Sequence, residues 1–404
     1  MTGSAVQPLA GVRVLELGNM IAAPFCTRIL AEFGAEVVKI EDPKGGDQLR
    51  QWRKLYKGTS LWWLAQARNK KSLAIDMRKP QGQQIVRDLA ARSDLVVENF
   101  RPGTLERWGI GWEVLHALNP GLVMVRLSGY GQTGPYKDRP GFGVVGEAMG
   151  GMRFVTGYPD QPPVRMGISI GDSIAALYGA IGALVALHHR KVNGGQGQMV
   201  DLALYEAVFG VMESLVPEFD VLGFVRERAG NALPGIVPSN TYPTRDGNFV
   251  IIGANGDKIF KRLMQAIGRP DLADDPTLAT NDGRVVRTAE LDAVIGGWCR
   301  SHDLEHVLAA LEQAEVPSST VYDVGDIMRD PHYAARGMIE QHTLADGQCV
   351  KLPSIVPKLS DTPGRTRWLG PKLGQHTDEV LSASAGYLCR ASTSGGEGVI
   401  GCVA

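Results

Sequence analysis

The stretch VRVLELGNMIAAPFCTRILAEFGAEVVKIE, residues 12–41, contains two runs of β-forming residues on either side of a helical segment. Val12 to Leu17 and Val37 to Ile40 predict strands, while Pro24 in a first turn and Gly34 at an end bound the helix between them. A strand–loop–helix–strand unit of this kind is typical of nucleotide-binding α/β folds. The loop after the first strand has one glycine, whereas the dinucleotide fingerprint needs three to let the backbone approach a pyrophosphate. The pattern therefore predicts a ligand other than NAD on this loop.

The rest of the chain repeats this alternation before it changes character. Strand-like runs at 73–75, 95–97 and 122–127 are separated by helical stretches, which predicts an α/β fold with a parallel sheet covered on both faces. The Asp246-Gly247 pair before the apolar run 249–252 is a hairpin signal and predicts a second, smaller α+β domain. We expect a large domain in residues 1–205, a linker helix in 206–228, the small α+β domain in 229–328, a return to the large domain in 329–382 and a disordered tail in 383–404.

Composition limits the classes of function. The 404 residues carry a net charge of −1, so no basic excess favours nucleic acid or an anionic membrane surface. The five cysteines are widely spaced and include no CxxC, which indicates neither a disulfide framework nor a zinc site, and we predict a cytoplasmic protein. The beginning of the chain lacks the pattern of a signal peptide. The longest uncharged apolar run, 174–187, is too short to cross a bilayer and predicts a buried helix, so we expect no membrane association.

Two short motifs match known patterns without their structural context. Residues 141–146, GFGVVG, have the letters of a dinucleotide loop, but they follow a turn instead of a strand. His302 and His306 have the spacing of an H-x-x-E-H metalloprotease motif, but they lie at a helix start and no third ligand is evident. Neither motif supports a site, and we predict no metal centre.

The stretch 167–173 allows two different nucleophiles. Gly167 to Gly171 matches G-x-S-x-G, which in α/β hydrolases exposes a serine, here Ser169, although the Pro-rich DQPPVRM before it is a poor strand. Asp172 follows, at the beginning of a long apolar helix. A carboxylate there commonly caps the helix, which contributes about 1 kcal/mol. Alternatively, the positive helix end keeps the carboxylate ionised, and an ionised carboxylate in a cleft can act as a covalent nucleophile.

Six ordered stretches together resemble the family III, CaiB/BaiF-type, CoA-transferases, which include formyl-CoA transferase and succinyl-CoA:dicarboxylate CoA-transferases. They are LELGNMIAAPFCTRILAEFGAEVVKIEDPKGGD, RNKKSLAIDMR, VENFRPGTLERWGIGWEVL, LSGYGQTGPYKDRPGF, GISIGDSIAALYGAIGALVAL and LGQHTDEVL. The resemblance extends from about residue 8 to about residue 382. It implies two interlocked ring-like subunits, each with a Rossmann-like large domain built from both chain ends and a small domain between them.

The resemblance also implies the site residues. Asp172 matches the family's catalytic aspartate, which attacks the donor thioester to give an aspartyl-acyl anhydride and then an aspartyl-CoA thioester, before an acceptor carboxylate reverses the two steps. Coenzyme A enters as a substrate, and no permanently bound cofactor is implied. The family's site-covering glycine-rich loop corresponds to residues 253–256, with Gly253 and Asn255 as substrate-side candidates. The family's CoA contacts, in which arginine suits phosphate oxygens and apolar side chains suit adenine, carry over to Met20, Ile21, Ala22, Ile75, Arg78, Asn99, Phe100 and Arg107.

Three positions depart from the family pattern. Asp42 replaces a basic residue of formyl-CoA transferase, with Lys44 nearby as a substitute. Gly143 stands where the family often has an acidic residue, so a helper carboxylate near Asp172 is missing. Phe142 stands where α-methylacyl-CoA racemases, which share the fold, carry the histidine of their His-Asp pair, and a phenyl ring cannot transfer a proton.

We therefore predict a homodimeric enzyme that moves coenzyme A from an acyl-CoA, with succinyl-CoA the expected donor, to a small dicarboxylate. Arg165 is the candidate clamp for the acceptor's distal carboxylate, because a guanidinium can bind a carboxylate through two hydrogen bonds. A purely surface role for Arg165 stays open, and Phe142 is a further substrate-side candidate. Two alternative functions also remain, a racemase-like isomerase and a serine acyl-CoA hydrolase that uses Ser169.

Overall fold

The computed structural model describes residues 6–383. Its strands are β1 (Arg13–Glu16), β2 (Glu36–Glu41), β3 (Leu55–Tyr56), β4 (Thr59–Ser60), β5 (Lys70–Ala74), β6 (Leu95–Glu98), β7 (Val123–Ser128), β8 (Met199–Ala203), β9 (Ser239–Pro243), β10 (Phe249–Gly253), β11 (Ser318–Thr320), β12 (Ile339–Thr343) and β13 (Cys349–Pro353). Short 3-10 helices occupy Gln48–Gln51 and Pro276–Leu278.

The α-helices connect and cover these strands. They are α1 (Ala22–Glu32), α2 (Leu61–Gln66), α3 (Pro80–Ala90), α4 (Thr104–Arg107), α5 (Trp112–Leu118), α6 (Gly143–Met149), α7 (Met152–Val155), α8 (Ile170–Val192), α9 (Leu204–Phe209), α10 (Leu215–Leu222), α11 (Asp257–Ala266), α12 (Pro270–Ala273), α13 (Asn281–Val286), α14 (Thr288–Arg300), α15 (Leu304–Gln313), α16 (Val324–Arg329), α17 (Pro331–Ala335) and α18 (Thr377–Ala383).

A six-stranded sheet forms the centre of the larger part of the chain. Its strand order is β5-β2-β1-β6-β7-β8, and every neighbouring pair runs parallel. The predicted α/β class with a parallel sheet is therefore confirmed. Strands such as Leu95–Glu98 are buried along their whole length, as expected when helices cover both faces. Each fully buried valine or leucine contributes about 1.5–3 kcal/mol relative to an exposed one.

Each face of the sheet has its own apolar core. On one face, the buried side of α1 and an alanine stripe of α8 pack together against the strands. On the other face, α3, α5 and α18 contribute the packing residues, including Ile85, Leu115 and Leu381. Helix α18, near the end of the described residues, therefore packs against strands from the first part of the chain.

The 23-residue helix α8 contains the candidate Asp172 in its first turn. By length and composition α8 is apolar enough to cross a membrane. Its alanine stripe, which includes Ala176, Ala180 and Ala183, nevertheless lies in the sheet's core. We therefore interpret α8 as a helix that packs one face on the sheet. The buried helix that the sequence predicts over 174–187 is buried on this face only, because Leu177, Ile181 and Val185 on the opposite face are exposed.

A second compact unit contains an antiparallel sheet of order β11-β10-β9. The Asp246-Gly247 pair forms the β9–β10 turn, where Gly247 has a φ of +80° that suits glycine. Helices α11, α14 and α15 contribute Phe260, Ile295 and Leu311 to this unit's core. It is thus an α+β arrangement with its own apolar centre.

The two units divide the described residues at defined positions. The first comprises 6–152, 166–213 and 338–383, and the second comprises 153–165 and 214–337. The predicted linker helix 206–228 is interrupted, because α9 ends at Phe209 and α10 begins at Leu215. The β12–β13 hairpin lies in the segment 329–382, which the sequence assigns to the large domain, and its residues are mostly exposed or half-buried. Except for Ala383, the predicted disordered tail lies outside the described residues.

Candidate functional site

Strand order identifies a crevice for ligand binding. From β1 the chain continues to β2 and β5 on one side of the sheet, and then crosses to β6, β7 and β8 on the other side. The loops that follow the adjacent strands β1 and β6 therefore leave the sheet in opposite directions. Open α/β sheets bind ligands at such a switch point, outside the carboxyl ends of the strands. The stretches matched to CoA contacts at 20–22 and 99–107 are the residues that follow these two strands.

The loop after β1 is tied directly to the loop after β6. The amide N–H of Asn19 donates to Oδ1 of Asn99 at 2.8 Å, and Nδ2 of Asn99 donates to the Asn19 carbonyl at 2.9 Å. A Cβ on Gly18 would lie 2.6 Å from Oδ1 of Asn99, so only glycine fits this approach. Of the predicted contacts here, Ile21 and Ala22 are buried and Met20 is half-buried at the beginning of α1. The structure thus brings Met20, Ile21, Ala22 and Asn99 together.

The loop after β6 holds two further predicted contacts, Phe100 and Arg107, next to the buried pair of Glu98 and Arg126. Phe100 packs edge-on against Trp108, with ring centroids 5.4 Å apart, and its N–H donates to Oε2 of Glu98 at 2.7 Å. Burial raises the pKa of Glu98 to about 7, against the opposing attraction of Arg126. Arg126 binds Glu98 and also Glu106, each at 2.7 Å.

Arg107 lies next to that network but remains at the surface. Its Nη2 donates to Oγ1 of Thr104 at 3.1 Å, within the short helix α4. An exposed guanidinium at the switch point is available to a phosphate, for which arginine provides several fixed donors. Arg107 therefore stays a predicted phosphate ligand, with an exposed guanidinium.

The predicted contacts after β5 differ from each other in exposure. Ile75 is 1% exposed and packs inside the sheet's core, so its side chain cannot contact a ligand in this conformation. Arg78 is exposed and pairs with Asp76 at 2.7 Å and with Asp42 at 2.8 Å. These two carboxylates raise the pKa of Arg78, Asp76 more than Asp42. A phosphate that binds Arg78 would have to displace these two carboxylates. Asp42, at a position where formyl-CoA transferase has a basic residue, therefore competes with the phosphate for Arg78.

Asp172 lies in the first turn of α8, where its half-buried carboxylate faces the beginning of α6. A Cβ placed on Gly143 would lie 2.1 Å from Oδ2 of Asp172. The carboxylate therefore occupies the space that a side chain at position 143 would need. With Asp172 in this position, only glycine fits at position 143. Phe142, which precedes α6, exposes 64% of its surface and has no group that could exchange a proton.

The G-x-S-x-G stretch does not form a strand-to-helix elbow. Ser169 is 9% exposed, no strand lies between β7 and α8, and the backbone φ of Ser169 is an ordinary −82°. The carbonyl of Ser169 accepts the N–H and the hydroxyl of Ser173, as in a normal helix start. His376, a possible base, accepts the N–H of Ser72 through Nδ1. This geometry does not favour a serine nucleophile.

The remaining motifs carry no site in the part of the chain that the structure describes. Residues 141–146 lead into α6 without a preceding strand, so the dinucleotide context is missing. The rings of His302 and His306 stack with centroids 4.4 Å apart. Within residues 6–383, no three histidine, cysteine, aspartate or glutamate side chains are grouped as metal ligands.

The other substrate-side candidates belong to the second unit. Arg165 is exposed. The N–H of Gly253 donates to the Pro317 carbonyl at 3.0 Å, and the buried Arg284 donates from Nη2 to the Asn255 carbonyl at 2.6 Å. Both halves of the loop 253–256 are thus hydrogen-bonded within the second unit, unlike a loop that is free to close over a site.

Sequence reasoning missed a group of buried charges beneath the loop after β1. Glu16, Lys39 and Asp47 are each at most 1% exposed and surround the backbone of Gly18 and Met20. One available signal was the presence of charged residues at strand positions between apolar neighbours. Glu16 and Lys39 are also direct register partners on β1 and β2, which the sequence alone does not reveal.

Comparison with known proteins gives concordant results over nearly the whole chain. Residues 9–377 match the model of CoA-transferase family III. The chain is 53% identical to succinyl-CoA–D-citramalate CoA-transferase of Chloroflexus aurantiacus, over 93% of this chain and 94% of that protein. It is 43% identical to the beta subunit of succinyl-CoA–L-malate CoA-transferase of the same organism, over 94% of each.

A solved structure shares the fold. The crystal structure of a CAIB/BAIF family protein from Brucella suis matches with a TM-score of 0.82 and 33% identity. The match covers 94% of this chain and 99% of the Brucella chain. Both units of the described fold are therefore found together in a related protein.

Proposed function

The chain belongs to CoA-transferase family III, and from this premise we propose that it moves coenzyme A from succinyl-CoA to a small dicarboxylic acid. The names of its relatives support this choice of donor, since succinyl-CoA is the donor in both Chloroflexus enzymes. Their acceptors are hydroxy-dicarboxylates, D-citramalate and L-malate. D-Citramalate is therefore the first acceptor to test, and L-malate is the second.

The position of Asp172 is the observation that carries the proposal. Its carboxylate lies in the first turn of a 23-residue helix, in contact distance of the Gly143 backbone and half-open to solvent. The positive end of the helix favours the ionised form, which is the nucleophilic one. The absence of a side chain at position 143 leaves room for this carboxylate to act.

The proposed reaction exchanges bonds of similar energy in four steps. The Asp172 carboxylate attacks the succinyl thioester carbonyl, and the C–S bond breaks to release CoA thiolate and leave a mixed anhydride. The thiolate then attacks the aspartyl carbonyl, which gives an aspartyl-CoA thioester and free succinate. An acceptor carboxylate attacks this thioester to form a second anhydride and thiolate. Attack of the thiolate on the acceptor carbonyl finally yields acceptor-CoA and regenerates Asp172.

The switch-point loops supply the proposed coenzyme A contacts. The beginning of α1, after Met20 and Ile21, has no acidic residue in its first turn, and unpaired N–H groups at a helix start attract phosphate oxygens. Phe100 offers an aromatic face and Arg107 an exposed guanidinium on the neighbouring loop. Arg165 remains the proposed ligand for the acceptor's distal carboxylate.

We include a homodimer and a cytoplasmic location in this proposal. Along α8, Leu177, Ile181 and Val185 are 49–62% exposed and form an apolar stripe opposite the buried alanines. A stripe of this size is typical of a surface that a second chain covers. The cysteines among residues 6–383 are free, and two of them, Cys26 and Cys299, are buried, which is compatible with a reducing compartment.

Mass spectrometry of the intact protein and its peptides after mixing with succinyl-CoA tests the chemistry. We expect a CoA thioester on the peptide that contains Asp172, converted to a hydroxamate when hydroxylamine is present. Asp172→Asn should lose both the adduct and transfer to D-citramalate, whereas Ser169→Ala should retain them. A succinyl group on Ser169 would instead establish a hydrolase. Exchange of the proton next to the thioester carbonyl without any adduct would indicate the isomerase.

A further inference from the structure

The loop between β1 and α1 has an unfavourable backbone conformation at Met20. This residue has a φ of +70°, in the left-handed region that only glycine adopts without cost. A non-glycine residue there is strained, because its Cβ comes too close to the following carbonyl oxygen. The surrounding structure must therefore hold the loop in place.

Asp47 holds the strained residue directly. Its Oδ1 and Oδ2 accept the N–H of Met20 at 3.0 and 3.1 Å, and the carboxylate is fully buried. Oδ1 also accepts the N–H of Leu49 at 2.9 Å, which anchors Asp47 at the start of a 3-10 helix. The carboxylate therefore connects the loop to a separate segment of the chain.

Lys39 binds both Asp47 and the backbone of the loop. Its Nζ lies 2.9 Å from Oδ2 of Asp47, 2.7 Å from Oε1 of Glu16 and 2.7 Å from the Gly18 carbonyl. An ammonium group has three donors, and these contacts use all of them. Although burial opposes their charges, Asp47 and Glu16 raise the pKa of Lys39, and the two lysines Lys39 and Lys70 lower the pKa of Glu16 to about 2. Glu16 and Lys39 are thus both charged at neutral pH.

The network has no access to a ligand of its own, because Glu16, Lys39 and Asp47 are enclosed. Its contacts end on backbone groups of the loop, the Gly18 carbonyl and the Met20 N–H. Asn99 binds both backbone polar groups of Asn19, which lies between them. Side chains therefore fix consecutive backbone groups of Gly18, Asn19 and Met20 before any ligand arrives.

We propose that Asp47 and Lys39 are positioning residues that hold the Gly18–Met20 loop in the shape that receives coenzyme A. This inference rests on the proposed function, because the loop that it describes as preorganised is the proposed binding loop for coenzyme A. A loop ordered in advance spends no binding energy on ordering, so its disruption weakens binding of the CoA moiety. The chemistry at Asp172, on another element, is affected much less.

Steady-state kinetics of Asp47→Asn test the proposal. Asparagine keeps the size of the side chain but has one acceptor oxygen in place of two. It therefore cannot accept the Met20 N–H and bind Lys39 at the same time, as the carboxylate does. We expect KM for succinyl-CoA to rise about tenfold, with kcat within about threefold of the wild type. Glu32→Gln is the matched control, because Glu32 forms a buried pair with Arg68 in the same unit and does not contact the loop. It should lower stability and leave this KM unchanged.

Met20→Gly provides the rescue. Because glycine adopts a φ of +70° without strain, the loop should depend less on Asp47 once Met20 is replaced. We expect Asp47→Asn to raise the KM for succinyl-CoA by a smaller factor in the Met20→Gly background than in the wild type. This comparison of factors is independent of any contact that the Met20 side chain itself makes with coenzyme A. An unchanged KM in Asp47→Asn, or a double variant whose KM equals the product of the two single effects, would overturn the proposal.

Hydrogen exchange on the wild-type enzyme keeps the proposal testable if Asp47→Asn does not fold. The amide of Met20 should be protected without ligand and change little when coenzyme A is added. An unprotected amide that becomes protected only with coenzyme A would show that the ligand orders the loop, against the proposal. Calorimetry with coenzyme A distinguishes failure of the proposed function from failure of this inference. A wild type that binds no coenzyme A refutes the proposed function. Hydrogen exchange in the free enzyme still decides whether the network fixes the loop.

Discussion

At the scale of single residues, the contact between Gly143 and Asp172 controls how the candidate nucleophile is held. A Cβ at position 143 would lie 2.1 Å from Oδ2 of Asp172, and the neighbouring atoms of the carboxyl group are also within 3.1 Å. Even the smallest side chain would therefore displace the carboxylate. The glycine is thus part of the site, although it has no functional group.

Gly143→Ala should reduce CoA transfer about 100-fold, because a shift of about 1 Å in a reacting group costs that much in rate. The fold should remain, since position 143 is the first residue of a short helix. We would measure kcat and the thermal midpoint. Gly167→Ala is the matched control, because a Cβ there meets no atom within 4 Å. Full activity in Gly143→Ala would contradict the described placement of Asp172.

At the scale of elements, the carboxyl ends of β6 and β7 carry a buried pair, Glu98 and Arg126, beneath the loop that holds Phe100. Burial raises the pKa of Glu98 to about 7. In the unfolded chain the carboxyl group titrates near its ordinary value of 4.5. The folded protein therefore binds one more proton than the unfolded chain between these two pH values.

The free energy of unfolding should decrease with pH in this window because of Glu98. The stabilisation is complete below pH 4.5 and is lost as the pH rises through about 7. Glu98→Gln stays neutral, so the difference in unfolding free energy between wild type and variant should shift against the wild type by about 3 kcal/mol from pH 4.5 to pH 7.5. Urea denaturation at both pH values measures this shift. A shift in the opposite direction would mean that Arg126 keeps Glu98 ionised throughout.

The elements differ in how well the sequence predicts them. The first strand–helix–strand unit follows from apolar runs and its helix signals, although α1 begins at Ala22, two residues before Pro24. The β12–β13 hairpin is not predicted from the sequence, because Ile339–Thr343 has a single apolar residue and the alternation in Cys349–Pro353 covers only five residues. Periodicity indicates strands only where one or both faces are buried.

Only part of the candidate site could be predicted from the sequence. The resemblance indicates Asp172 and the two loops, and parallel strand order then brings Asn19 next to Asn99. The network of Glu16 and Lys39 depends on the register between β1 and β2, which arises only when the sheet assembles. Ile75 stays a predicted contact, although its side chain is buried in the described conformation.

At the scale of the whole molecule, the apolar stripe of α8 predicts self-association. Light scattering with size-exclusion chromatography should give twice the 43.5 kDa of a single chain. Ile181→Glu should shift the protein toward the monomer, because a charge in an apolar interface loses its hydration. Val114→Glu is the control, since Val114 is similarly exposed on α5 at the other face of the sheet. A monomeric wild type would contradict the proposed homodimer.

The edge strand β5 is closed by residues that come some 300 positions later in the chain. The N–H of Asn69 donates to the Trp368 carbonyl, the N–H of His376 donates to the Ser72 carbonyl, and the N–H of Ala74 donates to Oγ1 of Thr377. During synthesis, β5 therefore emerges long before the segment that protects it. An open strand edge recruits other strands, so the nascent first unit is exposed to aggregation until translation has passed Thr377.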